Sequence, residues 1–463
     1  MKLRRLFVFL SLTGVALSGC SLSDLFGNEK NKEEKQQQEE KGEEEGKFDY
    51  TYIDQEIKYC YNYFMDTTNF DETSTGFGLT QDRLTNRQMS SVAATGFLLA
   101  CYPVFVKENL MTHEKAKDYS LRTINTLLGI QANPEASYAG CMSHFVTKMD
   151  GDRFGTSEVS TIDTALAVSG ALVAGGFFGD EVLDKANELW GNVDFTKFSV
   201  TSGGKSYISM GISAPDKPTD QLGKWDYYAE QLSIYILGAG NPVSQHRIPI
   251  TYYNNIQKVV GTYKGISHIQ SWFGSIFTYQ YTNAFFNFKE YVDAKGRNYF
   301  ENSVNASKTA YQFCVDNKER YKTYGENSWG LTACDTPLGY NGLLGASPRA
   351  YNGDADYIKV AGTIAPTGAV SSMPYTPTES HNALKNYLSN KLLCHERYGL
   401  KDSYNLDFNG NEWYDNDFIG IDKGCEVLQM ANFKYDNFVS NCSMTNQNVI
   451  NGFLNNGFTK VNG

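Results

Sequence analysis

The stretch Ser157–Gly175, SEVSTIDTALAVSGALVAG, decides the fold. Ile162, Leu166, Leu172 and Val173 alternate with small Ala165, Ser169 and Ala171, so a helix built from them is apolar and small-residue-rich almost all round. Such a helix is buried, and its small residues let neighbouring helices come close. At its start stand two carboxylates, Glu158 and Asp163, among hydroxyls at Ser157, Ser160, Thr161 and Thr164. Ser157, Ser160 and Thr161 are N-cap residues by type, which places Glu158 in the first turn and leaves Asp163 exposed. Acids at the mouth of a buried helix are also how a helical barrel presents catalytic groups to a pocket.

Similar helical spacing recurs on both sides. Tyr52–Met65, Ser90–Phe105, His113–Ile130, Asp180–Val193, Trp225–Gly238, Asn298–Val315, Glu379–Leu393, Val427–Asn432 and Gln447–Asn455 all read as helices, with Pro103 predicting a break or kink. Between them lie long loops: a glycine-punctuated Gly76–Arg83, a Gly/Ser/Pro-rich Ser199–Asp220 expected at a pocket rim, and Ser328–Pro374. Alternating strand patterns are few, and no internal repeat is visible. The expected class is all-α.

The chain has 463 residues, 41% of them hydrophobic, enough for a large core. Its formal net charge of −11 argues against nucleic acid as a partner. Met1–Cys20 reads as a lipoprotein signal peptide: Lys2, Arg4 and Arg5, an apolar Leu6–Leu17, then Leu17-Ser18-Gly19-Cys20, with Cys20 as the acylated residue. The apolar run is too short to span a bilayer. The chain is therefore expected to be a membrane-anchored lipoprotein on the periplasmic or extracellular face, and a monomer. Residues 21–47 form a charged linker with little to bury, expected to be disordered. The remaining domain is 48–463. Its eight cysteines are widely spaced, carry no metal signature, and leave free thiols and disulfides both open. No Walker loop, G-x-S-x-G or H-E-x-x-H is present, and no cofactor or metal is implied.

Hydrolysis of a glycosidic bond needs one carboxyl to protonate the leaving oxygen and a second to activate water or attack carbon. Glu158, Asp163 and Glu230 are the candidates. Glu230 sits beside Trp225, Tyr227 and Tyr228 and just before the apolar Leu232–Leu237, surroundings that raise a carboxyl pKa as a general acid requires. Read alone, each is equally a capping or surface acid. Asp82 and Arg83 read alone are a salt bridge, and Trp329 reads alone as core.

Several segments resemble, in order, those of the bacterial glucoamylase-like group that includes the endo-β-1,2-glucanases of glycoside hydrolase family 144. Glu158 with STIDTAL at 160–166 resembles the group's E-x-STIDTAL. Asp82 and Arg83 match G-L-x-x-D-R. Trp225, Tyr228 and Glu230 match the group's W-x-x-Y-x-E, and Tyr235, Leu237, Gly240 and Pro242 match the Y-x-L-x-x-G-x-P that follows it; Trp329–Asp335 with Gly339-Tyr340, Thr363–Thr367 and Phe418–Asp422 also match. The resemblance implies an (α/α)6 toroid with long loops around a central pocket. It also implies inverting hydrolysis of a β-linked glucan, β-1,2-glucan or its oligosaccharides foremost. Glu230 then becomes the catalytic acid, with Glu158 or Asp163 as base. Asp82, Arg83, Trp225, Tyr281, Asn283, Trp329, Asp335 and Tyr340 become substrate-binding residues, the aromatics stacking on sugar faces and the charged groups taking hydroxyls.

The chain also departs from the group. His-Gln-Tyr-Ser-His becomes Tyr279-Gln280-Tyr281-Thr282-Asn283, the following Asp-Phe-Arg becomes Asn287-Phe288-Lys289, Asp-Gly-Thr becomes Ala361-Gly362-Thr363, and Asp-Gln-Gly-Pro becomes Asp422-Lys423-Gly424-Cys425. If these positions line the pocket, a non-catalytic glycan-binding lipoprotein is the alternative, and an enzyme for another linkage or a substituted glucan is a third.

Overall fold

In the computed structural model, which describes residues 48–346, 348 and 359–461, the helix read from STIDTALAVSG runs Thr161–Phe178. Ser160 caps it, its hydroxyl accepting the Asp163 N–H at 3.2 Å. Fourteen of its eighteen residues are buried, and its neighbours come as close as its composition predicts. A Cβ on Gly170 would stand 1.8 Å from the carbonyl oxygen of Gly96 on the adjacent helix. The helix is long and apolar enough to cross a membrane, but its surface is spent on contacts within the protein.

Twelve α-helices of six residues or more occur among the described residues. They are α1 (Thr51–Thr67), α2 (Val92–Lys107), α3 (His113–Ala132), α4 (Thr161–Phe178), α5 (Asp180–Gly191), α6 (Leu232–Gly240), α7 (Phe277–Phe285), α8 (Tyr299–Asp316), α9 (Pro377–Ser389), α10 (Gly420–Lys434), α11 (Phe438–Ser443) and α12 (Gln447–Asn455). From Thr51 onward they form one unit. Central α4 packs on α2, α5, α6 and α11, while α10 packs on α1, α2 and α7.

The loops carry more β-structure than the sequence suggests. Short antiparallel ribbons of two or three strands decorate them, each strand two to five residues long, too short to leave an alternating pattern. One is structural for α4: Val159–Ser160 pairs with Gly211–Ile212, so the Ser199–Asp220 excursion is clamped to the start of the central helix.

Three helical expectations are corrected. Trp225–Gln231 is not helical and α6 begins at Leu232, because the backbone ahead of it bonds elsewhere: Trp225 N–H donates to Ile208 O at 2.8 Å and Tyr228 N–H to Gln257 O at 2.9 Å. Helix α2 runs through Pro103 to Lys107, the proline falling in the final turns. Helix α10 starts at Gly420 rather than Val427, which puts Asp422 in its first turn. The eight cysteines at Cys60, Cys101, Cys141, Cys314, Cys334, Cys394, Cys425 and Cys442 are all free thiols. The signal peptide, Cys20 and the charged linker lie outside the described residues.

Candidate active site

Two distant segments are laced together to form the floor of a recess. Leu84 N–H donates to Phe418 O at 3.1 Å and Gly420 N–H to Asp82 O at 2.7 Å, with Arg83 bridged to Ile419 between them. The loop after α1 is thereby fixed against the N-terminus of α10. Phe277 and Tyr281 of α7 add an aromatic side. The hairpin Cys334–Thr336/Gly339–Asn341 adds Asp335 on the inside and Tyr340, 69% exposed, on the rim. Arg83, Phe277, Tyr281, Asp335, Tyr340 and Asp422 line this recess.

Arg83 is the hub of its polar side. Its guanidinium lies 2.8 Å from Asp335, 3.5 Å from Asp417 and 3.5 Å from Asp82. Burial pushes the Asp82 carboxyl up, opposed by the charges of His144 and Arg83. Asp335 donates its backbone N–H to Asp402 Oδ2 at 2.7 Å. Asp402 in turn shares a side-chain hydrogen bond with Asp422; burial first, then mutual repulsion with neighbouring acids, pushes both carboxyls upward, so the pair retains a proton where an isolated aspartate would not. Carboxylate oxygens of Asp335, Asp402 and Asp415 come within 4.8 Å of one another, close enough to share a cation; Arg83 already supplies positive charge to the group at Asp335.

Glu230 stands in the turn before α6. The Thr282 hydroxyl of α7 donates to the Glu230 carbonyl at 2.7 Å, which sets the turn beside Tyr281. Burial raises the Glu230 carboxyl to about 7; its own backbone N–H pulls the other way and the charge of Asp163 adds to the rise. Its charge is also felt at Tyr281 and Tyr340, as is that of Asp422, which lines the recess with these two tyrosines.

Behind Glu230 lies a residue that sequence reasoning passed over. His144 Nδ1 is 2.8 Å from Glu158 Oε1 and its Nε2 is 3.4 Å from Asp163 Oδ1. Burial works against its charge, but Asp163, Glu158 and Asp82 outweigh it and raise the imidazole to about 9. Asp163 is thus not the exposed acid of the capping picture: its side chain is 13% exposed and faces an imidazolium. Glu158 precedes the helix rather than occupying its first turn, and its hydrogen bond with His144 holds it below the usual carboxylate range.

The structure therefore brings together Asp82, Arg83, Glu158, Asp163, Glu230, Tyr281, Asp335 and Tyr340. Three expected sugar contacts are not there. Trp329 is fully buried, edge-on to Tyr311 with ring centroids 5.8 Å apart, and has no open face for a pyranose. Trp225 is 4% exposed, stacked on Trp272 at 5.6 Å, with its indole N–H on Thr161 Oγ1 at 3.2 Å. Asn283 points away into the packing of α7 on α8, donating to Ser303 Oγ at 2.9 Å. The same is true of other departures from the glucoamylase-like pattern: Tyr279 and Asn287 are buried, with Tyr279 OH accepting the Ser271 N–H and Asn287 donating to Asn441. Lys423 and Cys425 are buried as well. These changes repack the interior; they do not strip the recess of acids. Missed by sequence reasoning were His144 and Asp402, which carry no local motif, and the role of Asp422, noticed only as part of a matching segment.

Comparison with known proteins agrees with the resemblance drawn from the motifs. A family described as "Putative glucoamylase" matches residues 223–447. An exo-β-1,2-glucooligosaccharide sophorohydrolase (non-reducing end) of Parabacteroides distasonis is 26% identical over 412 residues, covering 81% of this chain and 54% of that protein; the chain spans about half the length of that relative. Among solved structures, the endo-β-1,2-glucanase of Chitinophaga pinensis, in complex with sophorotriose and glucose, superposes with a TM-score of 0.75 at 22% identity, over 88% of this chain and 98% of that one. A glucoamylase-like protein of Bacteroides uniformis gives 0.74 at 23% identity, over 88% and 97%. The chain shares their fold.

Proposed function

We propose that this chain is a glycoside hydrolase that cleaves a β-linked glucan, β-1,2-glucan or its oligosaccharides, by an inverting acid/base mechanism in an (α/α)6 toroid. The observation that carries the proposal is that Tyr281 and Tyr340, which line the recess with Asp422, feel the charges of both Asp422 and Glu230, the latter set beside Tyr281 by the Thr282 hydroxyl. Glu230 is held protonated near neutrality by burial and by Asp163, so it protonates the leaving glycosidic oxygen. Asp422, at the N-terminus of α10 where the helix dipole favours the anion, accepts the proton of the attacking water. Glu158 and Asp163, the bases expected from sequence, are engaged by His144 and serve as fixed charges behind the acid. Arg83 and Asp335 bind sugar hydroxyls, and Tyr340 offers its exposed ring to a pyranose face.

The substrate class is supported by the names of the similar proteins, the mechanism by the carboxyl arrangement. The test is product analysis of the soluble domain on β-1,2-glucan and on glucans of other linkages. Proton NMR of the first product should show the α-anomer, since inversion at a β-linkage yields it. Release of the β-anomer would overturn inversion, and cleavage of another linkage alone would overturn the substrate. The proposal includes a lipid at Cys20 that anchors a monomer to a membrane. Cys20→Ala should abolish labelling by a lipid analogue, and equal labelling of both forms would remove the anchor.

A further inference from the structure

Asp402 meets Asp422 at the wall of the recess, which both residues line, and their side chains share a hydrogen bond. An ionised carboxylate offers acceptors only, so one member of the pair carries a proton. Their surroundings decide which one.

Asp402 is 4% exposed and pinned by its neighbours. Its N–H donates to Asp417 O at 3.1 Å, and its Oδ2 accepts the Asp335 N–H at 2.7 Å and the Ser403 hydroxyl at 3.4 Å. Its carboxyl stands among those of Asp335 and Asp415, with oxygens of all three within 4.8 Å of one another. Among the described residues no ion pair reaches Asp402 or Asp422: Arg83 is engaged by Asp82, Asp335 and Asp417, and Lys423 by Glu56 and Glu426 at 2.8 and 3.1 Å. A second negative charge between Asp335 and Asp415 is therefore unfavourable at Asp402.

Asp422 is placed differently. It is the acid in the first turn of α10, whose N-cap Ile419 makes no side-chain bond to the free N–H groups, so the positive end of the helix favours its anion. The other titratable groups facing the pair do not reverse this difference. Asp335 repels both members, while Asp82 repels and Lys423 attracts an Asp422 anion. Glu426 is raised by burial to about 8, and Tyr281, Tyr340, Cys334 and Cys425 are uncharged phenols and thiols. Burial lifts the Asp402 carboxyl well above the ordinary range, in the same sense.

We propose that Asp402 is a positioning residue for the base: it holds the shared proton and donates it as a hydrogen bond that fixes the Asp422 carboxylate on the wall of the recess. The inference rests on Asp422 acting as base. The shared proton stays on Asp402 while Asp422 takes the proton of the attacking water.

A protonated aspartate and an asparagine carry the same pattern, a carbonyl acceptor beside a donor. Asp402→Asn can accept the Asp335 N–H and donate to Asp422, whereas Asp402→Ala can do neither. The experiment compares both variants with the wild type, as full-length chains, on a β-1,2-glucan oligosaccharide. Asp402→Asn should keep kcat/KM and its acidic limb close to wild type. Asp402→Ala removes a hydrogen bond to the charged form of Asp422. It should lower kcat about tenfold or more with KM little changed, and move the acidic limb upward by about one pH unit. Were Asp402 ionised, both variants would delete a negative charge and move the limb downward, which overturns the proposal. An Asn variant as impaired as the Ala variant overturns it too, as does a limb unmoved in both, the mark of a structural role alone.

If Asp402→Ala fails to fold, carboxyl-¹³C-aspartate NMR decides, with signals assigned by Asp402→Asn and Asp422→Asn. The Asp402 carboxyl should remain protonated at pH values where that of Asp422 has ionised; the reverse order refutes the assignment of the proton. This measurement needs no turnover. The expected order in a protein that cleaves no glucan supports the pair and refutes only the proposed hydrolysis.

Discussion

His144 bridges Glu158 and Asp163, its Nδ1 at 2.8 Å from the first and its Nε2 at 3.4 Å from the second. The histidine's folded pKa of about 9 lies above its ordinary 6.5, so its stabilisation is complete below 6.5 and is lost as pH rises through about 9. Glu158 is shifted the other way, below its ordinary 4.5, so its share is present above 4.5 and is lost as pH falls through the lowered value. Both contributions are complete only between the two ordinary values. His144→Gln should therefore lower Tm most in that window and least in alkaline buffer. Thermal melts of both proteins across pH check it; a Tm difference that does not vary with pH would detach His144 from the charge network.

Glu230→Gln keeps the shape of the side chain and removes its transferable proton. Turnover should fall by about 10²–10⁴-fold, with oligosaccharide affinity by calorimetry retained. In the wild type the basic limb of kcat/KM should fall as pH rises through about 7, where Glu230 loses its proton. Near-normal turnover of the variant would remove Glu230 from the mechanism.

Trp329 and Tyr340 should separate cleanly. Trp329→Ala empties a fully buried site and should cost about 3–5 kcal/mol of stability, with affinity per folded molecule unchanged. Tyr340→Ala, on the open rim, should leave Tm nearly unchanged and weaken glycan binding by loss of stacking. Melts and calorimetry on the same preparations decide both.

Gly170→Ala tests the helix crossing at the centre of the fold. Its new methyl would meet the Gly96 carbonyl at 1.8 Å, backbone against backbone, so α2 and α4 must part. Overpacking of this kind costs about 1–3 kcal/mol or more, read as a lower midpoint in urea. Gly155→Ala meets no neighbouring atom and serves as a control for methyl crowding, though its φ of 55° adds a local backbone penalty of its own.

The helical frame was legible because its signals are local. Apolar spacing located α1, α3, α5 and α12 to within a few residues, and the small-residue run foretold the close approach at Gly170. The short ribbons were not, since strands of two to five residues lack a period to detect. Of the site, single residues could be named but not their company. Glu230 was found by its aromatic and apolar neighbours together with its segment's resemblance to the glucoamylase-like pattern, whereas His144, Asp402 and Asp422 act through partners far away in sequence. Trp329 misled for the converse reason: a tryptophan that packs and one that stacks on sugar look the same until its neighbours are known.

The lacing of Arg83 to the far end of the chain has a consequence for biosynthesis. Arg83 contacts Asp335 and Asp417 across sequence separations of 252 and 334 residues. Until the segment around Asp417 has emerged and docked, the recess lacks its floor, and Arg83 lacks the most distant of its counter-ions. A nascent chain that stops short of this segment cannot complete the site. The sugar affinity proposed for the recess thus arrives in one step, with the last long-range closure, and reports a finished fold rather than a growing one.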